Sequence, residues 1–350
     1  MTTKVLQIIW SYGNGGMENI ARNLTYTKNK NFSNHLCIIN NDIDSEAARD
    51  LEKRNLILIN RKRGSANYLK FILFFYHIFK LKPDIIHIHS CNLVNLIYPL
   101  KKILGFKIVT TIHGMHDFDK SIEKSDVVVC VSNTQLKLMK KNILDNKINI
   151  KKLISINNGI RMYAKNELKG FDKELKIVIV GRLNHHQKRQ DFILDAFRKI
   201  IDLDFDASLT IIGSGDSKKF LQEKCKKLKL SDKVYFWGSV NNKKLIKSLQ
   251  EFDIMISASK EETFGLNIIE ALSVGLTVAA YPALSIKEIS KDTKIVHFYK
   301  SEDELIKIIK DIKKISDRDR LLSQNIIRER YQLKNMVKKY HKIYRQKNGK

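Results

Sequence analysis

The residues best suited to chemistry lie in four short segments, each at the end of an apolar run. The longest is Glu261-Glu262-Thr263-Phe264-Gly265-Leu266-Asn267-Ile268-Ile269-Glu270, which follows the run DIMISAS. Phe264, Gly265 and Leu266 are placed to open a helix, and a helix start offers free N–H groups and a positive dipole end to a phosphate. Glu262 stands just before that helix, where an ordinary helix-start acid also stands. Glu270 lies on the helix among Ile268, Ile269, Ala271 and Leu272. A carboxylate in so apolar a stretch needs a partner, and sugar hydroxyls would serve.

The second segment is Gly181-Arg182-Leu183 at the end of KIVIVG, with Lys188 six positions beyond Arg182. A guanidinium fork and an ammonium point charge suit a diphosphate. In a chain with 64 Lys+Arg a given lysine usually faces solvent, so position at a strand end is what marks Arg182. The third segment, Gly13-Asn14-Gly15-Gly16-Met17-Glu18, fits either close approach of an anion to backbone or a tight strand-to-helix turn. It lacks the GxGxxG spacing, and no acidic residue ends the next run (HLCIINN), which argues against a nicotinamide-dependent dehydrogenase. The fourth is His113, at the end of KIVTTIH. It is suited to a hydrogen bond to a sugar, to proton transfer, or to a structural contact. His87 and His89 alternate in DIIHIHS and are expected to be scaffold or cleft wall.

Positioning these segments requires strands alternating with helices. KVLQIIW, HLCIIN, LILIN, DIIHIH, KIVTTIH, VVVCVS and LISIN form a first series of expected strands; LKIVIVG, SLTIIG, KVYFWG, FDIMISAS and TVAAYP form a second. Near-continuous apolar strands separated by amphipathic helices predict α/β domains with buried parallel sheets, doubly wound, and the pattern occurs twice. In such folds ligands bind at the carboxyl ends of the strands, where all four segments fall. The expected division is 1–160, 161–332 and a basic terminal helix over 333–350, packing back toward the first domain.

Composition narrows the partners. The 350 residues carry 37 Asp+Glu against the 64 cations, a net charge of +27, which admits nucleic acid, an anionic membrane surface or anionic substrates. Residues 1–160 hold 24 basic and 12 acidic residues, so the excess is spread rather than gathered into one patch, and a nucleic-acid partner is not expected. The cysteines Cys37, Cys91, Cys130 and Cys225 have no close spacing, so neither a disulfide framework nor a zinc site is expected. Two Asp-x-Asp triplets, Asp117-Phe118-Asp119 and Asp204-Phe205-Asp206, are the metal-binding candidates; the second precedes a strand, on the wrong edge for the cleft. The start of the chain has no basic, then apolar, leader pattern, and the run Phe71–Phe79 is too short to span a membrane. A cytoplasmic protein is expected. The aromatic run is flanked by Arg61, Lys62, Arg63, Lys70, Lys80 and Lys82, so it either faces the core or lies against an anionic membrane, and the C-terminal helices are a second candidate contact.

Taken together, GNGGMEN, TTIHG, VGRL with a following Lys, LTIIGSG and EETFGLNIIEAL resemble the retaining glycosyltransferases of the family-4 (group 1) type, along nearly the whole chain. The resemblance implies the GT-B fold, two Rossmann-like domains facing across a cleft. It implies that Arg182 and Lys188 hold the donor diphosphate, that Glu270 binds ribose hydroxyls, and that Glu262 contacts the transferred sugar. Phe264, Gly265 and Leu266 would supply backbone N–H groups, Gly15 and Gly16 would cap the diphosphate, and His113 would touch the donor sugar. Gly213, Gly215 and the segment Gly238 to Val240 would border the base. The implied reaction moves a sugar, with retention, from a UDP- or GDP-sugar to a glycan or polyprenyl-linked saccharide in bacterial surface polysaccharide assembly, with no metal or other cofactor. A sugar-nucleotide epimerase of the same fold is the alternative. Two departures stand out: the Arg-to-Lys interval is one residue longer than the commonest, and the hinge reads Asn158-Gly159-Ile160-Arg161 where the family usually has Asp last.

Overall fold

A computed structural model describes residues 2–13, 15–49, 51–115, 119–163 and 168–346. They form two compact units, Met1–Gly159 with Leu333–Lys350, and Ile160–Gln332.

The first unit is built on seven parallel strands: β1 (Thr3–Ile9), β2 (Phe32–Asn40), β3 (Leu56–Arg61), β4 (Ile85–Ile88), β5 (Lys107–Ile112), β6 (Val127–Cys130) and β7 (Leu153–Ser155). Helices α1 (Gly16–Tyr26), α2 (Ser45–Ala48), α3 (Tyr68–Leu81), α4 (Leu93–Leu104) and α5 (Asn133–Asp145) connect them. The order β3-β2-β1-β4-β5-β6-β7 puts the topological switch between β1 and β4. Leu6, Ile8, Ile86, Ile88 and Ile108 are fully buried with Phe74, Ile78 and Ile97 from α3 and α4. This is why the central strands are apolar at nearly every position: helices cover the sheet on both faces.

The second unit has six parallel strands, β8 (Leu175–Val180), β9 (Ala207–Ile212), β10 (Val234–Gly238), β11 (Ile254–Ser257), β12 (Thr277–Ala280) and β13 (Val296–Phe298), in the order β10-β9-β8-β11-β12-β13. Its helices are α6 (His185–Lys188), α7 (Gln190–Asp202), α8 (Lys218–Lys227), α9 (Asn242–Ser248), α10 (Leu266–Ser273), α11 (Leu284–Ile289), α12 (Glu302–Asp311) and α13 (Asp317–Arg330). Strand β13 is absent from the expected set; it is a short edge strand, half-exposed, with His297 at its centre, so no apolar run marks it. Here the switch lies between β8 and β11.

The last helix, α14 (Leu333–Arg345), belongs to the first unit. Tyr340 and Tyr344 are buried there, and the Lys107 ammonium donates to the carbonyls of Ile343 at 2.7 Å and Gln346 at 2.9 Å. A cation on the terminal carbonyls satisfies acceptors that the helix itself cannot.

Helix α3 divides its aromatic run. Phe74 and Ile78 are fully buried and Phe71, Leu73 and Phe75 are partly buried, whereas Tyr68, Leu69, Ile72, Tyr76 and Phe79 are exposed. At positions i, i+1, i+4, i+8 and i+11 the exposed side chains form one stripe. All four cysteines are buried and none forms a disulfide. Among the described residues no helix is long and apolar enough to cross a membrane.

Candidate active site

In the second unit, the segments after β8 and β11 carry Arg182, Lys188, Glu262 and Glu270, and these are adjacent strands at the switch point; Gly213 and Gly215 follow β9 and Val240 follows β10. That is where an open α/β sheet leaves a crevice. The Lys188 ammonium lies 2.6 Å from Glu262 Oε2, both largely buried, so residues 74 apart in sequence form one ion pair. Arg182 is exposed and makes no ion pair among the described residues.

Three side chains not singled out from the sequence hold this arrangement. Asn267 Nδ2 donates to the Val180 carbonyl at 2.8 Å and so ties the first turn of α10 to the end of β8. Gln190, fully buried, donates from Nε2 to the Arg182 carbonyl at 2.9 Å. Asn242 Nδ2 donates to Glu270 Oε1 at 2.5 Å. Glu270 is 6% exposed, so its need for a partner is met at least in part by the protein, before any sugar hydroxyl. An asparagine or glutamine in the first turn of a helix carries no spacing signal, which is why the sequence does not reveal them.

Glycines shape the same loops. Gly265 precedes α10 with φ +91°, and a Cβ there would stand 2.7 Å from Ile286 Cδ1. Phe264 is buried with its ring edge-on to Tyr331, and the Ser285 hydroxyl donates to the Glu262 carbonyl. Leu266 begins the helix proper. Gly213 and Gly215 press backbone against backbone: a Cβ at Gly213 would meet the Gly181 carbonyl oxygen at 1.9 Å, and one at Gly215 the Leu183 carbonyl oxygen at 2.4 Å. Their glycine identity is thereby accounted for by packing of the Arg182 loop. Val240 lies half-buried between β10 and α9.

In the first unit Gly15 precedes α1, and a Cβ on it would lie 2.3 Å from Glu18 Oε2. The buried Glu18 carboxylate therefore folds back over the start of α1, with Gly16 as that helix's first residue. His113, after β5, stacks on His89 with Nε2 2.9 Å from His89 Nδ1. Burial holds His113 down to about 3, and His87 and His89 well below the usual histidine range, so all three are neutral near pH 7.

Of the Asp-x-Asp candidates, Asp119 caps a short 3₁₀ turn, accepting from the Ser121 N–H at 2.7 Å, while His116, Asp117 and Phe118 lie outside the described residues. Asp206 precedes β9, at the amino end of the sheet, as expected. Among the described residues no three His, Cys, Asp or Glu side chains gather as a metal site.

Comparison with known proteins bears on the whole chain. Residues 163–330 match the model for glycosyl transferases group 1, and residues 14–161 that for glycosyltransferase family 4. Over 216 residues the chain is 30% identical to the N-acetyl-alpha-D-glucosaminyl L-malate synthase of Bacillus anthracis, a match covering 55% of each, so it spans about half the length of that relative. Two solved structures share the fold. HepE of Anabaena in complex with UDP and glucose is 15% identical with a TM-score of 0.78, over 97% of this chain and 99% of that one. The pneumococcal O-GlcNAc transferase GtfA in complex with UDP and GlcNAc is 12% identical with a TM-score of 0.77, over 98% of both. Two parallel-sheet units, matched in succession by these two models, place the chain in the group 1 glycosyltransferases, with the GT-B fold.

Proposed function

We propose that the protein transfers a sugar, with retention, from a UDP- or GDP-activated donor to a glycan or polyprenyl-linked saccharide in bacterial surface polysaccharide assembly. The observation that carries this is the switch-point cluster of the second unit: Arg182 exposed at the end of β8, the Lys188–Glu262 pair at 2.6 Å, and the buried Glu270 eight residues beyond Glu262. Departure of a nucleoside diphosphate from the anomeric carbon puts negative charge on phosphate. Arg182, Lys188 and the start of α10 at Phe264, Gly265 and Leu266 meet that charge more strongly in the transition state than in the ground state. No metal is required for this charge stabilisation. On binding, Lys188 exchanges Glu262 for phosphate, which frees the Glu262 carboxylate for a sugar hydroxyl. Glu270 accepts the ribose hydroxyls, and His113 touches the donor sugar. Gly15 and Gly16 cap the diphosphate, and Gly213, Gly215 and Val240 border the base. The structures of HepE and GtfA hold UDP, which favours a uridine donor.

The exposed stripe of α3 supports work beside a membrane. Tyr68, Leu69, Ile72, Tyr76 and Phe79 share a surface with Lys80, whose ammonium lies 5.9 Å from the Tyr76 ring centre. An apolar stripe with flanking cations fits the anionic inner leaflet, where lipid-linked acceptors reside.

The test is turnover with UDP- and GDP-sugars, with and without a lipid-linked saccharide acceptor. Lys188→Met and Arg182→Ala each lower kcat about 10²- to 10³-fold in folded protein. Full turnover in both variants refutes the assignment. Conversion of the sugar nucleotide without acceptor identifies an epimerase instead.

A further inference from the structure

We propose that Gln7 is a positioning residue for His113: acting through His89, its side-chain amide fixes which ring nitrogen of His113 carries the proton, and so presents His113 to a substrate hydroxyl as a hydrogen-bond acceptor. The inference rests on His113 lying beside the sugar, as proposed above.

A buried chain of side chains fixes where each ring proton sits. Gln7 sits within β1, fully buried, as are His87 on the neighbouring β4 and His89 just beyond the end of that strand. Gln7 Oε1 has no proton and lies 2.8 Å from His89 Nε2, so His89 donates through Nε2. A neutral imidazole has a single N–H, which leaves a lone pair on His89 Nδ1. His113 Nε2, 2.9 Å from that nitrogen, must then be the donor. Nδ1 of His113 is left with a lone pair, and the structure records no partner for it among the described residues.

The other end of the Gln7 amide is fixed in the same manner. Gln7 Nε2 donates to the Tyr344 hydroxyl at 3.2 Å, and that hydroxyl donates to His87 Nδ1 at 2.7 Å. His87 therefore carries its proton on Nε2 and donates to Thr111 Oγ1 at 2.7 Å, which lies 3.0 Å from the Tyr340 hydroxyl. The chain contains no carboxylate, and each of these contacts pairs one proton with one lone pair.

Exchanging the oxygen and nitrogen of Gln7 would reverse every bond and turn His113 into a donor. The distances select the direction given. O–H donors lie at about 2.5–3.0 Å and N–H donors at about 2.7–3.2 Å from oxygen acceptors. The 3.2 Å contact at Tyr344 thus suits the amide N–H as donor, and the 2.7 Å contact suits the phenol O–H donating to His87. One amide at the centre of the sheet therefore sets the polarity of a side chain at its edge, as a buried orienting group does for the histidine of a catalytic triad.

The experiment is ¹⁵N–¹H correlation of the histidine rings in the full chain without substrate, assigned by single His→Asn variants, together with steady-state kinetics. The expected result is a single tautomer, protonated at Nε2, for His87, His89 and His113. Gln7→Met, of similar shape, mixes the tautomers of His113 and lowers kcat on the order of tenfold to a hundredfold, with KM changed by no more than about twofold. Protonation of His113 at Nδ1 in the unaltered protein overturns the proposal. So does a Gln7→Met variant that keeps both the single tautomer and full kcat. Full activity of His113→Ala removes the substrate role of His113 and overturns the proposal at that step. The ring spectra, recorded without substrate, distinguish this failure from failure of the chain.

Discussion

Gly181 and Gly213 have nearly the same positive φ, +154° and +145°, but different surroundings. A Cβ at Gly181 meets nothing within 4 Å, whereas one at Gly213 would lie 1.9 Å from the Gly181 carbonyl oxygen and 2.9 Å from its carbon. Alanine at either site incurs backbone strain of about 1–3 kcal/mol. Only at Gly213 is overpacking added, for about 1–3 kcal/mol more. The obstacle is backbone on both sides, pinned by the Gly181 N–H to the Ile212 carbonyl at 3.0 Å and the Gly213 N–H to the Gly238 carbonyl at 2.8 Å. No rotamer change relieves it. Gly213→Ala is therefore expected to destabilise the second unit by about 2–6 kcal/mol and Gly181→Ala by about 1–3.

The chain has two tryptophans, Trp10 in the first unit and Trp237 in the second. In a Trp10→Phe background, Trp237 fluorescence during urea unfolding reports the second unit alone. The loop moved by Gly213→Ala carries Arg182, so affinity for UDP, by calorimetry, falls in this variant even where the unit remains folded. Equal urea midpoints for the two variants would refute the steric account. A destabilised Gly213→Ala with unchanged UDP affinity would refute the link to Arg182.

Two further expectations concern the first unit. Burial lowers the folded pKa values of His87 and His89, of His113 to about 3 and of His341 to about 4, so below pH 6.5 the unfolded chain takes up protons first. Stability is whole above that pH and lost as pH falls, by up to about 1.4 kcal/mol per pH unit per histidine. Between pH 7 and 5.5 the urea midpoint read by Trp10, in a Trp237→Phe background, is expected to drop well beyond that of the second unit, where only His297 is shifted in this way; equal drops refute it. On the α3 stripe, Leu69→Glu with Ile72→Glu is expected to lower flotation with anionic vesicles about tenfold or more, since two exposed apolar side chains lose their contact. Unchanged flotation refutes docking through α3.

What the sequence disclosed was governed by periodicity and by place. Twelve of the thirteen strands among the described residues stand as apolar runs, and the loops that follow β8 and β11 stand out because a charged or glycine-rich stretch interrupts such runs. Helix α4 is less plainly marked than its neighbours, since it carries Pro99 inside it and Pro is ordinarily a helix breaker. Gln7 was invisible for a different reason. It sits in the middle of an apolar strand, and its meaning lies in Tyr344, 337 positions away, which only the return of α14 to the first unit brings into reach. Asn267 and Gln190 likewise act on backbone carbonyls, and a carbonyl is present at every residue. Sequence patterns mark side chains of unusual type; they do not mark ordinary amides whose partners are set by topology.

The two units position their loops with opposite electrostatics, and this has a consequence for acid behaviour. Around its switch point the second unit uses ions, Lys188 with Glu262, together with the amides of Asn267, Gln190 and Asn242. Apart from Glu18 at the start of α1, the first uses neutral groups: Trp10 Nε1 donates to Asn92 Oδ1 at 2.9 Å, and a chain of neutral side chains runs from Tyr340 to His113. A histidine held neutral down to about pH 3 has no ionisation in the working range, so no limb of a pH–rate profile between 5 and 8 arises from His113 acting as base. The proton does its damage elsewhere. Protonating His87 or His89 places two donors against one another and strands a charge among fully buried groups with no carboxylate in the chain to receive it, and burial keeps His113 neutral until about pH 3, so the first unit gives way as a whole before His113 is charged within the fold. Activity lost on acidification should therefore track unfolding of the first unit and return on neutralisation at the rate of refolding, not at the speed of proton transfer. Instantaneous recovery, in a stopped-flow pH jump, would place the titrating group at the chemistry and against this account.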